Sequence, residues 1–133
     1  MPPETPGTII RGYLEIARSG DWDRASGYFA EEVVFRIPGR SRFAGEHRGR
    51  AAAIDYIESA RALTRGRHVA VELIDVLEGS ERVALLVSER FPLGEREVEI
   101  RRANVYRIAN GKIAEVWIFE ADQYEVDALF ETA

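Results

Sequence analysis

The residues most able to do chemistry sit on one strand-like stretch. From Arg96 onward, Val98, Ile100, Arg102, Asn104, Tyr106 and Ile108 alternate with Glu97, Glu99, Arg101, Ala103, Val105 and Arg107. Alternate side chains of a strand share a face, so the first set forms a stripe that is apolar at both ends and points inward. Arg102 and Asn104 then fall in the middle of a buried face. A buried guanidinium or amide costs several kcal/mol unless it is hydrogen-bonded, so each needs a partner. That partner is either an internal network, or water at a curved strand end, or a ligand. An amide in such a place can donate to a carbonyl oxygen as negative charge develops on it. Tyr13 shares an apolar helical face with Ile9 and Ile16 and needs a partner for its hydroxyl. Glu120, near the end of the last strand, is a candidate to move a proton. His47 titrates in the range that suits a general base, although a loop histidine is most often simply exposed.

Other chemistries are excluded. The chain has no cysteine, so disulfides, thiolate nucleophiles and cysteine-ligated metals are ruled out. Two histidines, His47 and His68, do not make a histidine-rich metal site. There is no glycine-rich phosphate loop or dinucleotide fingerprint, and no serine has a nucleophile-elbow context. No metal and no cofactor is expected.

The elements that must position these residues follow from periodicity and punctuation. Thr5-Pro6 marks a helix start, and Ile9, Ile10, Tyr13, Ile16 and Ala17 recur at helical spacing up to Gly20. Asp21 caps a second short helix from Trp22. Val33 to Ile37 is a strand stopped by Pro38-Gly39, and Arg40 to Gly49 reads as a loop. Arg50 to Leu63 is helical, with Gly66 just past its end. The period then changes to two. Val69 to Leu77, Arg82 to Phe91, Arg96 to Ile108 and Lys112 to Ala121 are strands, and Gln123 to Phe130 closes the chain as a helix. Helices first and an antiparallel sheet after them define an α+β fold with helices on one face of a curved sheet, a shape that tends to enclose a cavity.

The last hairpin has two possible registers. With Asn110-Gly111 as a two-residue turn, Asn104 pairs with Trp117, and Glu115 and Trp117 face inward. With a three-residue loop Ala109-Asn110-Gly111, Asn104 pairs with Val116. Then Val116, Ile118 and Glu120 face inward, while Trp117 and Phe119 lie exposed outside.

At 133 residues and 15.0 kDa the chain is long enough for one domain, residues 1–133, with a real core. Its net charge of −5 argues against nucleic-acid binding. The loop Arg40 to Arg50 carries four arginines, too few and too local to change that; they form either a solvated loop or a cationic rim. No apolar run is long enough for a membrane span and no signal peptide is apparent, so a cytoplasmic protein is expected.

In element order and phrasing the chain resembles the nuclear transport factor 2-like superfamily, in its SnoaL-like branch. The phrases are Tyr13-Leu-Glu through Ser19-Gly-Asp-Trp-Asp23, Tyr28-Phe-Ala-Glu-Glu-Val-Val-Phe35, His47-Arg-Gly-Arg-Ala-Ala-Ala-Ile54, Asn104-Val-Tyr-Arg-Ile108 and Asn110-Gly-Lys-Ile-Ala-Glu-Val-Trp117. The resemblance implies a cone-shaped α+β barrel, with three N-terminal helices packed on a curved, mostly antiparallel sheet around a cavity. It favours the three-residue loop, because in related enzymes the even positions of the last strand face inward. It says little about activity, since this fold hosts isomerases, cyclases, hydrolases and binders.

Beside steroid isomerases of the superfamily, Tyr13 falls at the oxyanion-hole tyrosine and Asn104 at the oxyanion-hole acid, but the base position holds Ile37. Beside limonene-type epoxide hydrolases, the arginine falls near Arg90 and the two aspartates near Pro92 and Ile118. Beside polyketide cyclases, Glu120 or Asp122 stands near the acid/base aspartate, one residue out of place. The expectation is proton transfer on a small, mostly apolar carbonyl compound by an isomerase, cyclase or lyase. Tyr13 and Asn104 polarise the carbonyl, Glu120 moves the proton, and Arg102 holds an anionic group or tunes Glu120. Trp22, Phe35, Ile37, His47, Tyr56, Arg102 and Ile118 contact the substrate. The alternative is a non-catalytic dimeric protein that binds a small hydrophobic ligand. In either case a homodimer through Trp117 and Phe119 is expected, with no nucleic acid or membrane partner.

Overall fold

The computed structural model describes residues 4–63 and 70–132; the expected roles of Gly66, His68 and Val69 lie outside them. Helix α1 (Pro6–Arg18) starts where Thr5 Oγ1 accepts from the Thr8 amide at 3.1 Å, with Pro6 in the first turn. It ends at Gly20, whose φ of 86° releases the chain into α2 (Trp22–Ala25), capped by Asp21. A 3₁₀ turn (Ser26–Tyr28) leads into β1 (Phe29–Ile37). β2 (Gly45–Arg48), α3 (Arg50–Ala62), β3 (Ala70–Glu78), β4 (Arg82–Leu93), β5 (Arg96–Ala109), β6 (Lys112–Glu120) and α4 (Gln123–Thr132) follow.

The six strands form one mixed sheet in the order β2-β1-β6-β5-β4-β3. β1 and β6 run parallel, and the other four neighbouring pairs are antiparallel. The expected cone-shaped barrel does not form: the sheet is open, neither closed nor strongly curled. Closure would need its two edge strands to share a ladder. β2 and β3 lie at opposite ends of the order, and β2 offers only four residues, all paired to β1.

β2 also corrects the reading of residues 40–49 as a loop throughout. Its residues pair with β1 from Val34↔Arg48 to Ile37↔Gly45, a ladder too short and too rich in glycine and charge to show as a period of two. Pro92 and Leu93, expected in a turn, end β4 instead, and the chain reverses at Gly94 with φ 60°.

The helices cover one face of the sheet. Ile10, Tyr13, Phe29, Val33, Phe35, Leu85, Tyr106 and Val116 fill the space beneath α1 and α3 with buried side chains. A second cluster, Phe43, Phe91, Ile100, Val126, Leu129 and Phe130, seats α4 against the sheet and the 40s segment.

The β5–β6 hairpin corrects both registers considered. Ala109 pairs with Lys112 around a two-residue turn, with φ of 53° at Asn110 and 75° at Gly111. The ladder then slips at a bulge: Ile108 pairs with Ile113 but Arg107 with Glu115, which leaves Ala114 as the extra residue. Asn104 therefore pairs with Ile118, not with Val116 or Trp117. The bulge nevertheless turns Val116, Ile118 and Glu120 inward, as the three-residue loop was expected to do. Outside, Phe119 is exposed, but Trp117 is not bare: the guanidinium carbons of Arg36 and Arg82 lie 5.8 and 5.7 Å from its ring.

Candidate functional site

Three neighbouring strands build a buried polar cluster on the helix-covered face. β5 supplies Arg102 and Asn104, β6 supplies Glu120 opposite Arg102, and β4 supplies Glu89 opposite Ile100. The side chains of Arg102, Glu120 and Glu89 are 8%, 3% and 15% exposed. Arg102 donates from Nε to Glu120 Oε1 at 2.8 Å and from Nη2 to Glu120 Oε2 at 2.5 Å, a bidentate pair. Its third nitrogen, Nη1, lies 3.0 Å from Glu89 Oε2. The two form an ion pair, although Glu89 Oε2 accepts no hydrogen bond among the described residues.

Burial alone would lower the Arg102 pKa, but Glu89 and Glu120 outweigh it and hold the guanidinium firmly charged. For Glu120 the balance is reversed: desolvation raises its pKa above the ordinary value, against the pull of Arg102.

Asn104 sits two residues along the same face. Its amide nitrogen donates to the Tyr106 hydroxyl, and its buried Oδ1 has no partner among the described residues. Half a turn of the amide would exchange these roles, so that Tyr106 donates to Oδ1 and Nδ2 is released. The Tyr13 ring stands 5.8 Å from that of Tyr106. Burial pushes Tyr13 and Tyr106 well above the ordinary phenol range and Tyr56 up to about 12, so all three hydroxyls stay protonated as potential donors.

The remaining expected residues divide. Trp22 packs edge-on against Tyr13 at 6.4 Å, and Phe35 meets Phe29 and Tyr56 in the core. Ile37 touches both apolar clusters, and Ile118 lies beside Asn104. His47 stands apart, stacked on Tyr56 at 5.0 Å, and its Nε2–H donates to the Phe43 carbonyl at 2.7 Å. His47, Tyr56, Arg42, Asp55 and Ser59 line an open cleft of about 540 Å³ between α3 and the 40s segment. Tyr56 thus lines the cleft and also interacts electrostatically with Arg102, Glu89 and Glu120.

Glu89 and Tyr106 were missing from the sequence reading of the site. The signal for Glu89 lay in β4, where Val83, Leu85, Val87, Glu89 and Phe91 alternate as an apolar stripe with one carboxylate in it. Among the described residues no group of three His, Asp or Glu side chains is placed to hold a metal. No helix among them is long and apolar enough to cross a membrane.

The SnoaL-like domain family matches residues 10–116, and the chain belongs to that family, within the nuclear transport factor 2-like superfamily. Among solved structures, Bal32a from a soil-derived mobile gene cassette is 25% identical, with TM-score 0.84 over 92% of this chain and 93% of its own. A Xanthomonas campestris protein with a cystatin-like fold is 24% identical, with TM-score 0.87 over 96% and 98%. TerC, crystallised with polyporic acid, is 15% identical, with TM-score 0.77 over 92% and 95%; it shares the fold. No curated protein matches the sequence. The superfamily holds both small-molecule enzymes and binding proteins.

Proposed function

We propose that the protein is a small-molecule enzyme that moves a proton on a mostly apolar, carbonyl-bearing substrate at the cluster around Arg102, as an isomerase, cyclase or lyase. The observation that carries this reading is a carboxylate and an amide on one buried face whose acceptors take no hydrogen bond among the described residues: Glu89 Oε2, held only by its ion pair with Arg102, and Asn104 Oδ1. Buried acceptors without a hydrogen bond are costly, and a catalytic role is one reason a fold keeps them. A carboxylate beside Arg102 takes the proton, and the neutral phenols of Tyr13, Tyr56 and Tyr106, with the Asn104 amide, receive the developing oxyanion.

The closed grip of Arg102 on both Glu120 oxygens favours a second reading, a non-catalytic binding protein for a small hydrophobic ligand. In both readings the protein works as a homodimer through the outer sheet face, where Ile74, Leu77 and Phe119 are all more than half exposed.

A thermal-shift panel of apolar cyclic ketones, each beside the phenol that mimics its enol, tests the reading. A proton-transfer site raises Tm more with the phenol than with the ketone, because it is complementary to the transition state. Equal shifts support the binder, and no shift with any compound counts against both.

A further inference from the structure

We propose that Glu89 is the proton acceptor of the interior site, and that Glu120 is a positioning residue that fixes Arg102. The assignment rests on the proton-transfer reading above and names the group that carries it out.

A general base needs a lone pair that can reach the substrate. Both oxygens of Glu120 are occupied by Arg102 Nε and Nη2, and its side chain is 3% exposed. To serve as the base, Glu120 would have to take a proton and so neutralise one side of a charge-assisted pair in a desolvated place. Glu89 differs on each count. Its buried Oε2 makes one ion-pair contact with Arg102 and accepts no hydrogen bond among the described residues, and its side chain is 15% exposed. Arg102 Nη1, at 3.0 Å, holds Glu89 by that single contact, where Glu120 is held by two hydrogen bonds.

Asn104, whose buried Oδ1 has no partner among the described residues, lies on the same face opposite Leu85 of β4. Tyr13, Tyr56 and Tyr106 each feel the charge of Glu89, so neutral hydroxyls lie within electrostatic range of the carboxylate. The substrate class is a compound with a C–H acidified by an adjacent carbonyl. Glu89 takes that hydrogen as a proton, the C–H electron pair becomes the enolate double bond, and the carbonyl π pair moves to oxygen. Return of the proton from the Glu89 carboxylic acid completes an isomerisation with no other reactant.

The test uses nitrobenzisoxazole, a probe for a carboxylate base in an apolar site. Its ring C–H proton passes to the carboxylate, the C–H pair completes a nitrile, and the N–O bond breaks to give a coloured phenolate. The full chain is compared with Glu89→Gln and Glu120→Gln, with folding checked by circular dichroism. Loss of a general base costs about a hundredfold or more. Glu89→Gln is expected to lose at least that, and about tenfold more than Glu120→Gln loses. An equal or larger loss in Glu120→Gln overturns the assignment while leaving the proton-transfer reading standing. A wild-type rate no faster than acetate at the same carboxylate concentration overturns both.

A measurement on the unaltered protein covers variants that fail to fold. Carbodiimide coupling of glycinamide, mapped by mass spectrometry, is expected to modify Glu89 and to spare Glu120. Modification of Glu120 with Glu89 spared overturns the proposal.

Discussion

Arg102 and Glu120 face each other across neighbouring strands and are joined at both ends of the guanidinium fork, with both side chains less than a tenth exposed. Breaking one partner of such a pair leaves the other charged and desolvated, at a cost of about 3–5 kcal/mol, whereas replacing both with apolar residues is often neutral. Arg102→Met should therefore destabilise the fold by about that amount, since it leaves two buried carboxylates. Arg102→Met combined with Glu120→Met should be less destabilised than Arg102→Met alone. Urea unfolding of the two variants and the wild type measures the difference.

Glu115 and Glu120 should respond to acid in opposite directions. Glu115 lies on the outer face; burial raises its pKa, but bonds from Arg107 and Arg36 win and hold it below the ordinary 4.5. Its contribution to stability is complete above that value and is lost as pH falls through its folded pKa. Glu120 has a raised folded pKa, so its favourable contribution is present below the ordinary value and is lost as pH rises through the folded one. The stability gap between wild type and Glu115→Gln should shrink on acidification. The gap between wild type and Glu120→Gln should move in favour of wild type. Urea titrations across the acid range measure both.

The bulge absorbs Ala114 and so keeps Glu120 on the inner face. Deleting Ala114 would remove the extra residue and leave every later pair in place, Arg107 opposite Glu115 and Arg102 opposite Glu120, so Glu120 stays inward. That deletion should keep a single cooperative unfolding transition. Asn110→Ala should only weaken the turn, by about 1 kcal/mol, because alanine keeps the Cβ at positive φ but loses the local hydrogen bonding that lets asparagine adopt it. Thermal unfolding of both variants checks this, and loss of the cooperative transition on deleting Ala114 would contradict the pairing.

Much of this was legible because burial leaves a period. Alternation along β5 placed Arg102 and Asn104 inward without any knowledge of their neighbours. The same rule applied to β4 points at Glu89, a residue missed because its stripe reads as ordinary core until its single carboxylate is noticed. The pairing of Asn104 was not legible: a two-residue turn followed by a bulge produces the same facing as a longer loop, and nothing in Ile113-Ala114-Glu115 marks the slip. Nor was the open sheet, since alternation orders side chains within strands but does not say whether β2 and β3 meet. Trp117 shows a further limit, because Arg36 and Arg82 reach it from positions far apart in the chain.

The outer face should bring two copies together. Phe119→Asp places a charge among Ile74, Leu86 and Ala103, residues that share a surface groove of about 300 Å³ with Phe119. Sedimentation velocity should show a dimer for the wild type and a monomer for Phe119→Asp, with unchanged circular dichroism. A wild type that remains monomeric at high concentration contradicts the outer-face contact.

The central claim is that the buried cluster moves protons. Its most direct test is deuterium exchange at the carbon next to the carbonyl of small cyclic ketones in heavy water, followed by nuclear magnetic resonance. The account predicts exchange faster with the protein than with buffer alone, and a return to the buffer rate in Glu89→Gln. Ketones that bind and keep their hydrogens at the buffer rate would contradict it.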